Sequence, residues 1–272
     1  MIEENIDDIN KEFLISNNKK TLKIIIDNVD FYFQFHYKKE SNNLMVFSNG
    51  AIDTNIRKPP VFMRSSWSDD INANCLFIDD RTIHNSDLKI GWGVGTTERH
   101  YLNDYNKFVK LIGELFDIKP NQTIYFGSSA GGFMSMAMAS DYSGSKAVVN
   151  NPQAYVYNYT SGSVKKLFRN IFPKEKDSEI IKNYKDRFSI TRIMSKNKNV
   201  PEIHYLQNRL CESDMERQFY PFCKMLDKYN VNSENINFVF YNNKNSGHNP
   251  MNKDSTIKFL NNVIHQNIDI LI

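Results

Sequence analysis

Thr123-Ile-Tyr-Phe-Gly127-Ser-Ser129-Ala-Gly131-Gly132 is the stretch on which the fold turns. A β-favouring run leads into Gly-x-Ser-x-Gly and then into residues 132–140, rich in the Ala and Met that favour helix. A strand that turns sharply into a helix forces the middle residue into strained backbone and holds its hydroxyl above the sheet edge, so its neighbours must be small. Gly127, Gly131 and Gly132 supply that room. The helix aims its amino end at the same spot, where the amide of Ala130 can bind a developing oxyanion. Ser129 therefore reads as a nucleophile. A glycine-rich turn with an incidental serine is the competing reading, and the strand before it and helix after it weigh against that.

Outward from this stretch, short β-branched and aromatic runs alternate with helical or polar stretches, the pattern of a mostly parallel sheet flanked by helices. Eight strands are predicted, at residues 22–26, 31–37, 44–48, 75–78, 123–126, 146–149, 202–207 and 237–241, the first two forming a hairpin through Asp27-Asn28-Val29-Asp30. Residues 105–116 place Phe108, Leu111, Ile112 and Leu115 at helical spacing, and Pro120 closes the element. A last helix at 253–265 presents Ile257, Leu260, Val263 and Ile264 on one face. Between 153 and 200 the pattern loosens into short basic amphipathic pieces broken by Pro173, expected to be a helical cap inserted into a single domain spanning 1–272.

At 272 residues the chain can bury one large core. Its net charge of +3, with no basic reading motif, argues against nucleic acid. The charge is uneven: residues 153–200 hold eleven Lys or Arg against four Asp or Glu, which favours anionic ligands wherever that segment overhangs a pocket. Cys75, Cys211 and Cys223 lie far apart, which predicts neither a metal site nor a disulfide framework and fits a reducing cytosol. The acidic start lacks the pattern of a signal peptide, and no run approaches the roughly 20 apolar residues of a membrane span. A soluble cytoplasmic protein is expected.

A serine hydroxyl needs a base. His248 lies in Asn245-Ser-Gly-His248-Asn-Pro250, a turn-forming loop between the last predicted strand and helix. Of the other histidines, His36 and His204 fall in strands, His265 in the terminal helix, and His84 and His100 at loop or helix-edge positions. The acid should follow the penultimate strand, where Asn208-Arg-Leu-Cys-Glu212-Ser-Asp214 offers Asp214 first and Glu212 in reserve. Capping of the next helix is the alternative role for Asp214. The order Ser, acid, His is that of the α/β-hydrolases. A second oxyanion donor is expected from Gly50 or Ala51, in the loop after the third strand. Gly91-Trp92-Gly93-Val94-Gly95 lacks GxGxxG spacing and the Lys-Ser/Thr of a P-loop. It is expected to be a flexible loop beside the pocket, with Trp92 offering a face to a sugar or adenine. Arg64 and Trp67 are placed at the same mouth, the alternative being loop residues in mutual contact.

With GSSAGG, Asn151-Pro152-Gln153 after the next strand, Asp214 and the Ser-Gly-His248 loop in hand, the chain resembles a bacterial family. It is similar to the α/β-hydrolase-fold capsule O-acetyltransferases and, more distantly, to the glycan-modifying accessory secretion proteins. The match runs from about Leu44 to the carboxyl terminus in motif order, with a short specific part. The resemblance implies a Ser129, Asp214, His248 triad, acetyl-CoA as acyl donor with no permanently bound cofactor, and a surface polysaccharide or oligosaccharide as acceptor. The cap and the aromatic loops are not matched residue by residue, so the identity of the polymer does not carry over. An esterase with the same triad and a non-catalytic glycan-binding or secretion-accessory protein are the competing functions.

Overall fold

The computed structural model describes residues 1–229 and 231–266; residue 230 and the last six residues of the expected domain lie outside the described residues. Among the described residues, nine strands form one sheet. They are β1 (Ile2–Asn5), β2 (Thr21–Ile26), β3 (Val29–His36), β4 (Leu44–Ser48), β5 (Asn74–Ile78), β6 (Thr123–Ser129), β7 (Lys146–Pro152), β8 (Glu202–Asn208) and β9 (Ile236–Tyr241). Their spatial order is β1-β2-β3-β5-β4-β6-β7-β8-β9. β3 is antiparallel to both neighbours, and every other pairing is parallel.

The ninth strand corrects the expected eight. β1 is Ile-Glu-Glu-Asn, too short and acidic to show a strand pattern, and it pairs along the outer side of β2 with Ile2 opposite Leu22. Charged side chains suit such an edge, where they face water and discourage further pairing. The hairpin turns on two residues, Asp27 and Asn28, with φ of 45° and 65°. Positive φ at both positions matches the strand twist, so β3 begins at Val29 rather than Phe31.

The helices are α1 (Lys11–Ser16), α2 (Tyr101–Phe116), α3 (Ala130–Asp141), α4 (Ser161–Ile171), α5 (Asp177–Asn183), α6 (Ile190–Asn197), α7 (Glu212–Asp214), α8 (Tyr220–Lys228) and α9 (Lys253–Ile264). β4 and β5 are buried along their whole length, as parallel strands covered on both faces must be. Leu44, Val46, Leu76, Ile78 and Tyr125 join the core of α2 and α3. Met45, Phe47, Cys75, Phe77, Ile124 and Phe126 meet Leu260, Val263 and Ile264 of α9 on the other face. Each such fully buried Leu or Phe contributes roughly 1.5–3 kcal/mol. α2 starts four residues before the expected Tyr105, because Tyr101 and Leu102 are also buried.

Between β7 and β8, the segment that carries α4 to α6 buries Leu167, Phe168, Phe172 and Phe188 in the same large core. Arg187 ties this segment to the Thr96 and Thr97 carbonyls. β4 lies between β5 and β6, so the β4–β5 and β5–β6 connections run in opposite directions across the sheet. In an open α/β sheet that reversal opens a crevice above the carboxyl ends of the strands.

Candidate active site

Ser129 stands at that crevice, at the carboxyl end of β6, with φ 55° and ψ −124°. Such backbone is costly for a residue with a side chain and persists only where its surroundings impose it. A Cβ on Gly127 would lie 2.2 Å from the Gly131 carbonyl oxygen, and one on Gly131 would lie 2.5 Å from that of Ser48, so neither position accepts a side chain. α3 starts at the next residue, Ala130, whose amide belongs to a first turn without intrahelical partners. Gly50 backs onto the turn: a Cβ there would be 3.4 Å from the Ser128 oxygen and 3.9 Å from the Ser129 Cβ. Its neighbour Ala51 is exposed.

His248 Nε2 lies 2.9 Å from Ser129 Oγ, and His248 Nδ1 lies 2.7 Å from Asp214 Oδ2. Asp214 is 8% exposed and ends the short α7, from which the chain continues through a π turn (Met215–Phe219) into α8. Its side chain makes no capping bond. Glu212, two residues earlier, points away on the same turn and is exposed. Of the two acids the sequence leaves open, the fold brings Asp214 to the histidine. The His248 loop is held from below. Asn151 Nδ2 donates to the carbonyls of His248 and Asn249, both at 3.1 Å, and Asn208 Nδ2 to those of Asn243 and Gly247 at 2.7 and 2.9 Å.

Gln153 completes the surroundings of Ser129. Its Nε2 donates to Ser129 Oγ at 2.9 Å, and its Oε1 accepts from Trp92 Nε1 at 2.5 Å. In sequence Gln153 was only the last letter of Asn-Pro-Gln. Its partners are 24 and 61 residues away, a pairing that no local pattern announces.

This contact corrects the reading of Trp92 as a free face in a flexible loop. Trp92 is 0% exposed, and its loop is fastened by Gly93 N donating to Asp80 Oδ2 and Gly95 N to Thr82 Oγ1. Burial pushes the Asp80 carboxyl up to about 6, although Thr82 and Gly93 donate to it. Arg64 and Trp67 do adjoin the turn, but in contact with each other. The Arg64 guanidinium lies 5.4 Å from the ring centroids of both Trp67 and Phe126 and donates to Ser128 Oγ at 2.7 Å. Burial lowers its pKa to about 10, and among the described residues Nη1 has no hydrogen-bond partner.

A cleft of about 200 Å³ opens beside the histidine, lined by Gln153, Asn158, Tyr159, Thr160, Ser213, Asp214, Arg217, Gln218 and His248. The basic helices α4 to α6 contribute no lysine to its wall. Gln153, Asn158, Tyr159 and Thr160 line it from the segment after β7, and Arg217 is the arginine in its wall. Among the described residues no group of three His, Cys, Asp or Glu side chains could hold a metal ion, and no helix is long and apolar enough to cross a membrane.

No family model matches the chain, and no curated protein matches it in sequence. Solved structures do. The capsule O-acetyltransferase of Neisseria meningitidis serogroup A, as a variant in complex with CoA, superposes with a TM-score of 0.62 at 15% identity, over 88% of this chain and 96% of that one. Carboxyl esterase 2 of Tuber melanosporum gives 0.58 at 12% identity over 91% and 86%. A glycosylation-associated protein complex of Streptococcus agalactiae gives 0.57 at 13% identity over 89% and 44%.

The chain has the α/β-hydrolase fold. At these identities the likeness is one of fold alone. A transferase, an esterase and a glycosylation complex share it, so the α/β-hydrolase fold leaves the reaction to be argued from the site.

Proposed function

We propose that the protein is a serine acyltransferase that carries an acetyl group from acetyl-CoA to a hydroxyl of a bacterial surface polysaccharide. The observation that carries this reading is the pair of hydrogen bonds, 2.9 and 2.7 Å, joining Ser129 to His248 and His248 to Asp214 at a strained turn. A hydroxyl so held loses its proton to His248 Nε2 as Oγ attacks the thioester carbonyl, and Asp214 balances the imidazolium. The amides of Ala130 and Gly50 are the donors assigned to the oxyanion. The C–S bond breaks, and the CoA thiolate leaves with the proton from His248. In the second half a sugar hydroxyl gives its proton to His248 and attacks the acetyl carbon. The bond to Oγ then breaks, and His248 returns the proton to Ser129.

Transfer is favoured by the likeness in fold to a CoA-bound capsule O-acetyltransferase and by the hydroxyl- and carboxamide-bearing residues among those lining the cleft against His248, which suit a hydroxylated acceptor. In this reading helices α4 to α6 act as a cap whose basic outer face meets the phosphates of CoA. Ester hydrolysis by the same groups is the second reading, supported by the equally extensive likeness to a carboxyl esterase. Only the attacking hydroxyl differs.

Labelled acetyl-CoA, supplied without acceptor, is expected to leave one acetyl group on Ser129, and Ser129→Ala to abolish it. A protein that is never labelled yet hydrolyses aryl acetates rapidly is the esterase. Full activity in Ser129→Ala would end both accounts.

A further inference from the structure

Trp92, Gln153, Ser129, His248 and Asp214 form one chain of hydrogen bonds, with heavy-atom separations of 2.5, 2.9, 2.9 and 2.7 Å. Its direction is fixed at both ends. An indole nitrogen only donates, and an ionised carboxylate only accepts. Trp92 Nε1–H must therefore meet the carbonyl oxygen of the Gln153 amide, which turns the NH₂ towards Ser129. Ser129 Oγ then accepts from Gln153, and its single proton is left pointing at His248 Nε2. With Nε2 accepting, the neutral imidazole carries its proton on Nδ1, facing Asp214. Every donor points the same way, and each bond polarises the next.

Resting on the reading of Ser129 as the nucleophile, we infer that Gln153 is a further catalytic residue, an electrophile aimed at the serine oxygen rather than at the substrate carbonyl, with Trp92 as its positioning residue. As Oγ gives its proton to His248 and attacks, charge gathers on Oγ and the Gln153 N–H meets it. The same N–H faces Oγ when the acyl–Oγ bond breaks in the second half-reaction, where Oγ is the leaving group and takes its proton back from His248. No proton leaves Gln153 in either direction. The donor is preorganised: the indole that orients it is 0% exposed, and Gln153 itself is 1% exposed. The backbone adds to this, because Gln153 N donates to the Ser129 carbonyl at 3.1 Å. A group that stabilises the departing serine oxygen makes the acyl-enzyme a better acyl donor, which serves a transferase whose acceptor is an ordinary alcohol.

The test uses the whole chain and an aryl acetate, with the acylation burst and the following steady state recorded by stopped flow. Gln153→Met keeps side-chain length and removes the donor. Its burst and turnover constants are expected to fall about 10²-fold, as when one preorganised donor is deleted from an oxyanion hole, with KM unchanged. Trp92→Phe leaves the amide in place but free to turn, and is expected to lose about fivefold, the equivalent of one ordinary hydrogen bond. Thermal melts are the check that each variant is folded. Should Gln153→Met acylate within about threefold of the parent, or lose only in KM, the inference is wrong. If Gln153→Met does not fold, an undiminished rate in folded Trp92→Phe overturns the inference in its place. Ser129→Ala reacting like the parent would bring down the nucleophile reading as well, so the two failures are distinguishable.

Discussion

Replacing Asp214 by asparagine should remove most of the rate while leaving the fold intact, because Asn is nearly the same shape and the carboxylate's bond is to His248 Nδ1. An asparagine can turn its NH₂ to Nδ1. The imidazole must then carry its proton on Nε2, where it points at Ser129 Oγ and can no longer accept. Gln153 already donates to that oxygen, so the serine proton is left without an acceptor. The Ser-His-Asp template loses about 10⁴-fold in kcat on this change. Here the His248 side chain is 37% exposed and that of Asp214 11%, so water screens part of the pair. A loss of about 10³-fold is therefore expected, which at 1.36 kcal/mol per factor of ten raises the barrier by about 4 kcal/mol. The assay is the burst of aryl acetate acylation, with Glu212→Gln as the paired control, expected within about twofold of the parent because Glu212 is exposed. A D214N protein keeping more than about a tenth of the rate, or a larger loss in E212Q, refutes the assignment of the acid.

Three further outcomes follow from the geometry. Gly131→Ala places a methyl 2.5 Å from the Ser48 oxygen and should lower stability by about 2 kcal/mol or more in urea melts, whereas Gly162→Ala, on α4 with nothing among the described residues within 4 Å of the added methyl, should raise it by up to about 1 kcal/mol. Burial holds the His36 imidazole down at about 4, so the folded state binds fewer protons than the unfolded chain between pH 6.5 and 4. Stability of the parent should thus fall as pH drops through that window more steeply than that of His36→Gln. Equal slopes would contradict it. If the basic cap meets the phosphates of CoA, KM for acetyl-CoA should rise with added salt while turnover changes little, and a salt-independent KM would exclude that role for the cap.

How much of this was legible in sequence depends on the range of the contacts. The strand-to-helix turn at Ser129 is written locally, in small residues at fixed offsets, and the sheet follows from apolar runs, so the central strands and α3 and α9 lie close to where the pattern puts them. β1 escaped because four acidic-rich residues become a strand only when β2 offers an edge. Trp92 was misread for a similar reason. Glycines on either side look like a mobile turn, but Asp80 and Thr82 hold that loop, and the indole finds its acceptor 61 residues away. Asp214 and Glu212 are alike in sequence. One turn of helix decides which of them faces His248.

The asparagines under the His248 loop have a consequence of their own. Asn151 and Asn208 grip its carbonyls with carboxamides, groups that neither titrate nor attract counter-ions. A loop anchored through ion pairs would shift its histidine whenever acidity or ionic strength changed. This one has a mounting insensitive to both, so any acid limb in a rate profile reports the protonation of reacting groups and not a movement of their support.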